Sequence, residues 1–188
     1  MDNNHICPVA ISGSLDTKFR RVFQNPQTIL RPYVKEGMTV LDLGCGPGFF
    51  TIDMARMVGK SGRVIAADLQ DGMLQKLNKK IHGTELEERI VLHRCEEDKI
   101  GIQEEVDFIL AFYMVHEVPD RDKFFKEIES ILKTSGVMLM VEPPLHVSWT
   151  AFSRSIKSAK NTGLLTRKGP KMLFSKTAII RSTLKSGW

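Results

Sequence analysis

Apolar and polar positions along the chain follow two alternating periods, which predict strands and helices in turn. Short, almost continuous apolar runs are typical of strands buried on both faces, and the chain has five: "TVLDL", "RVIAADL", "RIVLHR", "VDFILAFY" and "VMLMVE". Helical spacing of apolar residues occurs in "DGMLQKLNKKI" and "DRDKFFKEIESILKTSG", and at Phe49, Ile52 and Ala55 after the first run. This alternation predicts an α/β fold with a mainly parallel sheet and helices on both faces.

The end of the chain predicts a different connection. "SWTAFSRSIKSAKN" has helical spacing, and the two strand-like segments "GLLTRKGPKMLF" and "KTAIIRS" follow it. Only a short turn separates these two segments. Because a parallel crossover needs a dozen or more residues, we expect them to pair antiparallel.

The sequence pattern predicts an N-terminal extension at residues 1–32. It predicts a single domain at residues 33–188. The extension contains the basic amphipathic segment "SLDTKFRRVF" and a short helix in "NPQTILRPYV". Asn25 can cap that helix, Pro26 can occupy its first turn, and Pro32 can end it. One interpretation is that the extension folds over a cleft as a lid, with His5 and Cys7 as candidate lid residues, and the alternative is a disordered N-terminus.

Length and composition limit the classes of protein to consider. A chain of 188 residues with 42% hydrophobic residues suffices for one core. No apolar run is long enough to span a membrane, and the N-terminus lacks the pattern of a signal peptide, so we expect a cytoplasmic protein. Cys7, Cys45 and Cys95 form no CxxC pair, which argues against a disulfide framework and against a metal site.

Charge is distributed unevenly along the chain. The formal net charge is +5, yet residues 150–188 contain nine basic residues and no acidic residue. A solvated basic face is the more common explanation of such a segment, and an anionic partner such as nucleic acid is the alternative. Four aromatic residues accompany these cations: Trp149, Phe152, Phe174 and Trp188.

The segment "VLDLGCGPGFF", residues 40–50, contains three closely spaced glycines between a strand and a helix. Such glycines let a ligand approach backbone amides, and the helix N-terminus adds partial positive charge. Asp68, at the end of the second strand, can accept hydrogen bonds from ribose hydroxyls. The pattern is G-x-G-x-G with Asp42 two residues upstream, which differs from the G-x-G-x-x-G of NAD-binding proteins and disfavours that cofactor.

"VLDLGCGPG" resembles the first motif of class I S-adenosylmethionine-dependent methyltransferases, an acidic residue followed by G-x-G-x-G. The resemblance continues through "GRVIAADL", "VLHRCEED", "VDFILAFYMVHEVPD" and the closing hairpin, over roughly residues 33–182. It implies a Rossmann-like sheet of seven strands, mainly parallel with the last strand antiparallel. It also implies S-adenosylmethionine as the cofactor and S-adenosylhomocysteine as the product.

The resemblance assigns the cofactor contacts residue by residue. Gly44 and Gly46 would form the floor beneath the methionine part, with Asp42 bracing their loop, and Asp68 would hold the ribose. The remaining expected contacts are Leu69 and Met73 beside the adenine, Cys95 and Glu96 at its edge, Ala111 and Phe112 at the end of the fourth strand, and Cys45 as a small lining residue. Glu97 and Asp98 adjoin Glu96, so the carboxylate at the adenine edge stays open among the three.

Methyl transfer from a sulfonium is a direct displacement, so a protein base is needed only when the acceptor loses a proton. The candidate catalytic residues are His116 as a base and Tyr113 as an orienting group, both in "FYMVHEVPD". Glu117 could orient the acceptor as well, and Glu142 is a second candidate base. The alternative is that "MVHEV" only begins the next helical segment.

The sequence thus predicts a methyltransferase that acts on a small-molecule acceptor, similar to the quinone and general metabolite group. One alternative is an RNA methyltransferase that binds nucleic acid through the basic C-terminal segment. A second alternative is a protein that binds S-adenosylmethionine without catalysis.

Overall fold

The computed structural model describes residues 18–172 and 175–183, and the expected lid residues His5 and Cys7 lie outside these ranges, as do Phe174 and Trp188. The helices are α1 Lys18–Phe23, α2 Pro26–Leu30, α3 Thr51–Met57, α4 Asp71–Ile81, α5 Arg121–Ile131 and α6 Trp149–Asn161. The strands are β1 Thr39–Leu43, β2 Arg63–Asp68, β3 Ile90–Arg94, β4 Val106–Phe112, β5 Leu132–Glu142, β6 Leu164–Lys168 and β7 Lys176–Ser182. Within the described ranges, no helix has the length and apolarity required to cross a membrane.

The seven strands form one sheet in the order β3-β2-β1-β4-β5-β7-β6. The pairs from β3 to β5 are parallel, whereas β7 runs antiparallel to both β5 and β6. The structure therefore confirms the Rossmann-like sheet, its helices on both faces and its antiparallel closing strand.

Each face of the sheet carries its own hydrophobic core. Successive strand residues point to opposite faces, so Val40 packs on one side and Leu41 on the other. The first core includes Leu74 and Leu77 of α4, and the second includes Phe125 of α5. This double coverage explains why the central strands are continuous apolar runs in the sequence.

The boundary between α5 and β5 differs from the sequence-based prediction. Helical spacing suggested that the helix continued to Gly136, but α5 ends at Ile131 and β5 begins at Leu132. Leu132 is fully buried and pairs with Val106, and the register shifts between Val106 and Phe108. Sheet pairing and burial of Leu132 outweigh the local helical preference of the segment.

The N-terminal segment packs on the body of the domain. The Asn25 side chain accepts hydrogen bonds from the backbone N–H groups of Gln27 and Thr28, which confirms the expected cap, and α2 ends at Leu30. Leu30 is fully buried in the first core. Arg21 of α1 forms an ion pair with Asp53 of α3 at 2.8 Å. The division into an extension up to residue 32 and a domain from residue 33 stays a prediction.

Candidate active site

A cleft of about 230 Å³ lies at the carboxyl ends of β1, β2 and β4. The strand order places β4 beside β1 on the side away from β2, so the chain leaves these strands in opposite directions across the sheet. In open α/β sheets this is where ligands bind. Most residues expected at the cofactor line the cleft: Asp42, Gly44, Cys45, Gly46, Asp68, Leu69, Met73, Cys95, Glu96 and Phe112.

The glycine loop forms the floor of the cleft and is held from below by β2. The N–H groups of Gly44 and Cys45 donate to the carbonyl of Ala67 at 2.8 and 3.0 Å. Gly46 has φ +53°, and a Cβ added there would meet no atom of the described residues within 4 Å. The backbone at Gly46 therefore borders open space that a side chain would occupy.

Asp68 joins the loop to the end of β2. Its Oδ2 accepts a hydrogen bond from the N–H of Gly46 at 2.9 Å, and its Oδ1 accepts one from the N–H of Gln70 at 2.9 Å. Burial raises the pKa of Asp68, and these backbone hydrogen bonds oppose the increase. The carboxylate is thus oriented by the backbone at the cleft wall.

Asp42 lies beneath the glycine loop and is almost fully buried. The hydroxyl of Thr51, the first residue of α3, donates to its Oδ2 at 2.6 Å. Burial raises the pKa of Asp42 to about 7, the hydrogen bond from Thr51 lowers it, and the nearby charge of Asp68 raises it further. The bond from Thr51 ties β1 to the helix that follows the loop.

Apolar and thiol groups line the cleft beyond Asp68. Met73 is 2% exposed and contributes to the wall. Burial raises the pKa of Cys95 to about 12 and that of Cys45 well above its ordinary value, so both are thiols at neutral pH. Of the three adjoining carboxylates, Asp98 is engaged in an ion pair with Lys123 of α5.

Helix α1 brings a cation into the cleft that the sequence did not identify. The Arg20 guanidinium lies 4.1 Å from the ring centroid of Phe49 and 5.7 Å from those of Phe50 and Phe112. Contacts of this geometry are attractive because the ring faces carry partial negative charge. The basic amphipathic pattern around Arg20 was the available signal, but it did not show which surface the helix would contact.

Tyr113 lines the cleft directly after β4 and has a left-handed backbone with φ 62°. Its hydroxyl accepts a hydrogen bond from Gln24 Nε2 at 2.9 Å and lies 2.7 Å from Ser175 Oγ. Both partners come from distant parts of the chain. Tyr113 therefore connects the N-terminal segment and the closing hairpin at the edge of the cleft.

His116 and Ala111, two other predicted site residues, lie outside the lining of the cleft. Ala111 points into the second core because it alternates with Phe112 along β4. His116 contacts Glu142 at the end of β5, with 2.7 Å between Nδ1 and Oε2. Glu117, by contrast, does line the cleft, and its Oε1 lies 4.0 Å from His116 Nε2.

Burial and the neighbouring charges shift the pKa values of both Glu117 and His116. Burial raises the pKa of Glu117 to about 7, the nearby His116 lowers it, and the charges of Asp68 and Glu142 raise it. Burial lowers the pKa of His116, but the hydrogen bond and charge of Glu142 and the charge of Glu117 outweigh this effect and raise it. Glu117 is thus a cleft-facing carboxyl that changes charge near neutral pH.

Among the described residues, no group of three or more His, Cys, Asp or Glu side chains is arranged to hold a metal ion. Residues 34–173 match the methyltransferase domain family. The chain belongs to this family. The match contains the glycine loop, Asp68 and the segment from Tyr113 to Glu142, so most of the cleft lining belongs to the methyltransferase domain, and Arg20 comes from outside the match.

Two sequence relatives carry names of quinone methyltransferases. A demethylmenaquinone methyltransferase of Lactobacillus johnsonii is 33% identical over 126 residues, which cover 63% of this chain and 52% of the relative. The ubiquinone/menaquinone biosynthesis C-methyltransferase UbiE of Enterobacter sp. (strain 638) is 29% identical over 127 residues, 64% of this chain and 51% of the relative. The methyltransferase domain therefore spans about half the length of these curated relatives.

The fold has close counterparts among solved structures. A SAM-dependent methyltransferase from Aquifex aeolicus superposes with a TM-score of 0.82 and 23% identity, over 93% of this chain and 98% of that one. At that identity the likeness concerns the fold. It extends over nearly the whole of both chains, so the methyltransferase domain and the Aquifex aeolicus protein have the same architecture.

Proposed function

We propose that this chain is an S-adenosylmethionine-dependent methyltransferase that methylates a ring carbon of a small aromatic acceptor, a quinone in its reduced form. One observation carries the cofactor part of the proposal: Gly46 borders open space at φ +53° while its N–H donates to the carboxylate of Asp68. This combination would suit a ribose and the groups attached to it. The names of the sequence relatives support the quinone class.

The residues present fit the cofactor. The backbone from Gly44 to Gly46 would lie against its amino acid part, and the Asp68 carboxylate would accept hydrogen bonds from its ribose hydroxyls. Leu69 and Met73 would border its adenine. S-adenosylmethionine, when bound, supplies a methyl group attached to a positively charged sulfur. The carboxylate of Asp68 makes the surroundings favourable for that positive charge.

The acceptor must supply an electron-rich carbon. A hydroquinone ring is more nucleophilic than a quinone ring, and loss of a hydroxyl proton increases its nucleophilicity further. In the transfer, a bond forms between the ring carbon and the methyl carbon, the bond between methyl carbon and sulfur breaks, and the ring carbon then loses its proton. The net products are the methylated ring, S-adenosylhomocysteine and one proton.

Glu117 is the group that we assign as proton acceptor, because its carboxyl faces the cleft. His116 serves as its positioning residue: Glu142 orients the imidazole, and the positive charge of protonated His116 stabilises ionised Glu117. Tyr113 and Arg20 would complete the acceptor wall, with α1 as a cap over the cleft. In this proposal Tyr113 borders the acceptor, and His116 acts only through Glu117.

The proposal can be tested with the full chain, methyl-labelled S-adenosylmethionine and demethylmenaquinone reduced by dithionite. We expect label in a low-mass product that organic solvent extracts, and loss of cofactor affinity in Asp68→Asn. Glu88→Gln, a change at an exposed carboxyl remote from the cleft, is the matched control. Cofactor binding without transfer to any acceptor would favour a non-catalytic binding protein. Label found only in RNA would overturn the small-molecule proposal.

A further inference from the structure

Among the described residues, none after Glu142 lines the cleft, although Ser175 contacts Tyr113 at its edge. No acidic residue follows Glu142 in the sequence. Helix α6 lies in this part and is amphipathic: Phe152 and Ala159 pack in the second core, while Arg154, Lys157 and Lys160 are exposed. The outer face of α6 is therefore cationic and is not used by the proposed chemistry.

Two large apolar side chains are exposed at the start of this cationic face. Leu145, in the turn after β5, is 93% exposed, and Trp149, the first residue of α6, is 68% exposed. Lys176 Nζ lies 5.1 Å from the Trp149 ring centroid, and Phe152 meets that ring edge to face at 5.9 Å. Trp149 is thus held in place at the surface, although most of its ring contacts solvent.

The spacing along α6 places the indole and two of the cations, Lys157 and Lys160, on the same side. Trp149, Ser153, Lys157 and Lys160 follow one another at intervals of four, four and three residues, which align on one face of a helix. Asp122 of α5 accepts a hydrogen bond from Ser158, on the inner side of α6. The outer side combines two apolar groups with positive charge over a helix length of about 16 Å.

We propose that Leu145, Trp149, Arg154, Lys157 and Lys160 form a docking patch for an anionic lipid surface. Lysine and arginine are attracted to anionic headgroups, and tryptophan favours the interface between water and hydrocarbon. Leu145 favours lipid over nucleic acid, because an aliphatic side chain offers no ring for a base to stack on. The positive charge of this face therefore complements anionic headgroups, and its exposed apolar side chains complement the hydrocarbon.

The patch is placed so that docking through it would bring the cleft close to the lipid surface. Leu145 follows Glu142 at the carboxyl edge of the sheet, the edge at which β1 and β2 end in the cleft. A chain docked through the patch would hold this edge near the lipid. That consequence rests on the proposed function, since a reduced quinone with an apolar tail would reach the cleft from the lipid. Docking itself does not depend on it.

Co-sedimentation with lipid vesicles tests the proposal directly. The full chain is mixed with vesicles of phosphatidylcholine alone or with about one third phosphatidylglycerol, at low and high salt. We expect binding to the anionic vesicles, weakened by salt, and little binding to the neutral ones. Absence of binding to anionic vesicles, or equal binding to both, would overturn the proposal.

Matched variants separate the patch from general charge effects. Leu145→Ser with Trp149→Ser should weaken binding at least about tenfold. Leu165→Ser is the control, because Leu165 is also exposed but lies on β6, alternating with the buried Leu164 that packs against α6. Equal binding by the double variant and by the wild type would contradict the role of the apolar groups.

The cations are tested in the same way. Lys157→Glu with Lys160→Glu should weaken binding about thirtyfold or more. Lys60→Glu with Lys79→Glu changes the net charge equally on the other side of the sheet, where both lysines are exposed. An equal loss in both pairs would show that only net charge matters and would overturn the patch.

Two further measurements distinguish a loss of docking from a loss of folding. Circular dichroism and affinity for S-adenosylmethionine show whether each variant is folded, and the salt and lipid dependence of the wild type tests docking even where a variant fails to fold. Tight binding of single-stranded RNA that is lost in the Lys157→Glu, Lys160→Glu variant, without vesicle binding, would replace the lipid by nucleic acid. Vesicle binding requires neither cofactor nor acceptor, so its failure is distinct from failure of the proposed function.

Discussion

His116 and Glu142 form an ion pair between the segment after β4 and the end of β5, with 2.7 Å between Nδ1 and Oε2. Glu142 is nearly completely buried, and within the described part of the chain its Oε1 has no hydrogen-bond partner. A buried carboxylate is costly unless it is paired. Pairing with His116 therefore reduces the cost of burying the Glu142 carboxylate. The charge of Glu142 in turn favours the protonated form of His116.

Glu142→Gln should lower the pKa of His116, because it removes the carboxylate charge that favours the imidazolium. The raised pKa of His116 implies a contribution to the free energy of unfolding that is present below about pH 6.5 and is lost as the pH rises through the raised pKa. NMR titration of the imidazole, together with chemical denaturation at several pH values, measures both effects. An unchanged imidazole titration in the variant would contradict the pairing.

Glu117 should control the pH dependence of turnover. Its carboxyl has a pKa of about 7, so the ionised form that can take a proton accumulates as the pH rises through neutrality. We expect kcat to rise through that range and Glu117→Gln to reduce it about a hundredfold or more, with cofactor affinity retained.

Glu88→Gln, at an exposed carboxyl, is the control for Glu117→Gln and should leave the profile unchanged. His116→Gln should shift the pH midpoint upward, since the positive charge beside Glu117 is lost. If Glu117→Gln retains full turnover with the same profile, the proton acceptor is a different group.

Gly46→Ala should reduce affinity for S-adenosylmethionine with only a small loss of stability. The new methyl group would meet no atom of the part of the chain that the structure describes and would extend into the cleft, while the left-handed backbone costs about 1 kcal/mol. Calorimetric titration with the cofactor and thermal unfolding measure the two effects separately.

Gly83→Ala is the matched control for this glycine. Gly83 has φ +71° and equally open surroundings, but it follows α4 far from the glycine loop in sequence and does not line the cleft. We expect the same loss of stability and unchanged affinity for the cofactor. Equal affinities in the two variants would mean that the cofactor does not approach Gly46.

Asp42→Asn should flatten the dependence of stability on pH. Because burial raises the pKa of Asp42 to about 7, the folded protein retains a proton that the unfolded chain loses near pH 4. The free energy of unfolding should therefore fall as the pH rises from about 4 to about 7, and this decrease should be smaller in the variant. Denaturant titrations across that range measure it, and parallel curves would contradict the raised pKa.

The regular parts of the fold could be predicted because they follow local rules. The apolar runs predicted the parallel strands, the short interval before "KTAIIRS" predicted the antiparallel pair, and Asn25 with Pro26 predicted the start of α2. The end of α5 was predicted too late, since pairing of Leu132 with Val106 is a contact between residues far apart in sequence.

By itself, the sequence determined the sheet, the glycine loop and the position of Asp68 at the end of β2, because each depends on residues adjacent in the chain. Only the tertiary structure decided that Glu117 rather than His116 faces the cleft, that His116 contacts Glu142, and that Arg20 lies over Phe49. His116 and Glu142 are 26 residues apart in sequence, and Arg20 and Phe49 are 29 residues apart. The side chains of His116 and Glu117 point to different sides of one short turn. Local patterns do not specify such contacts, because they form only when the two faces of the sheet are packed.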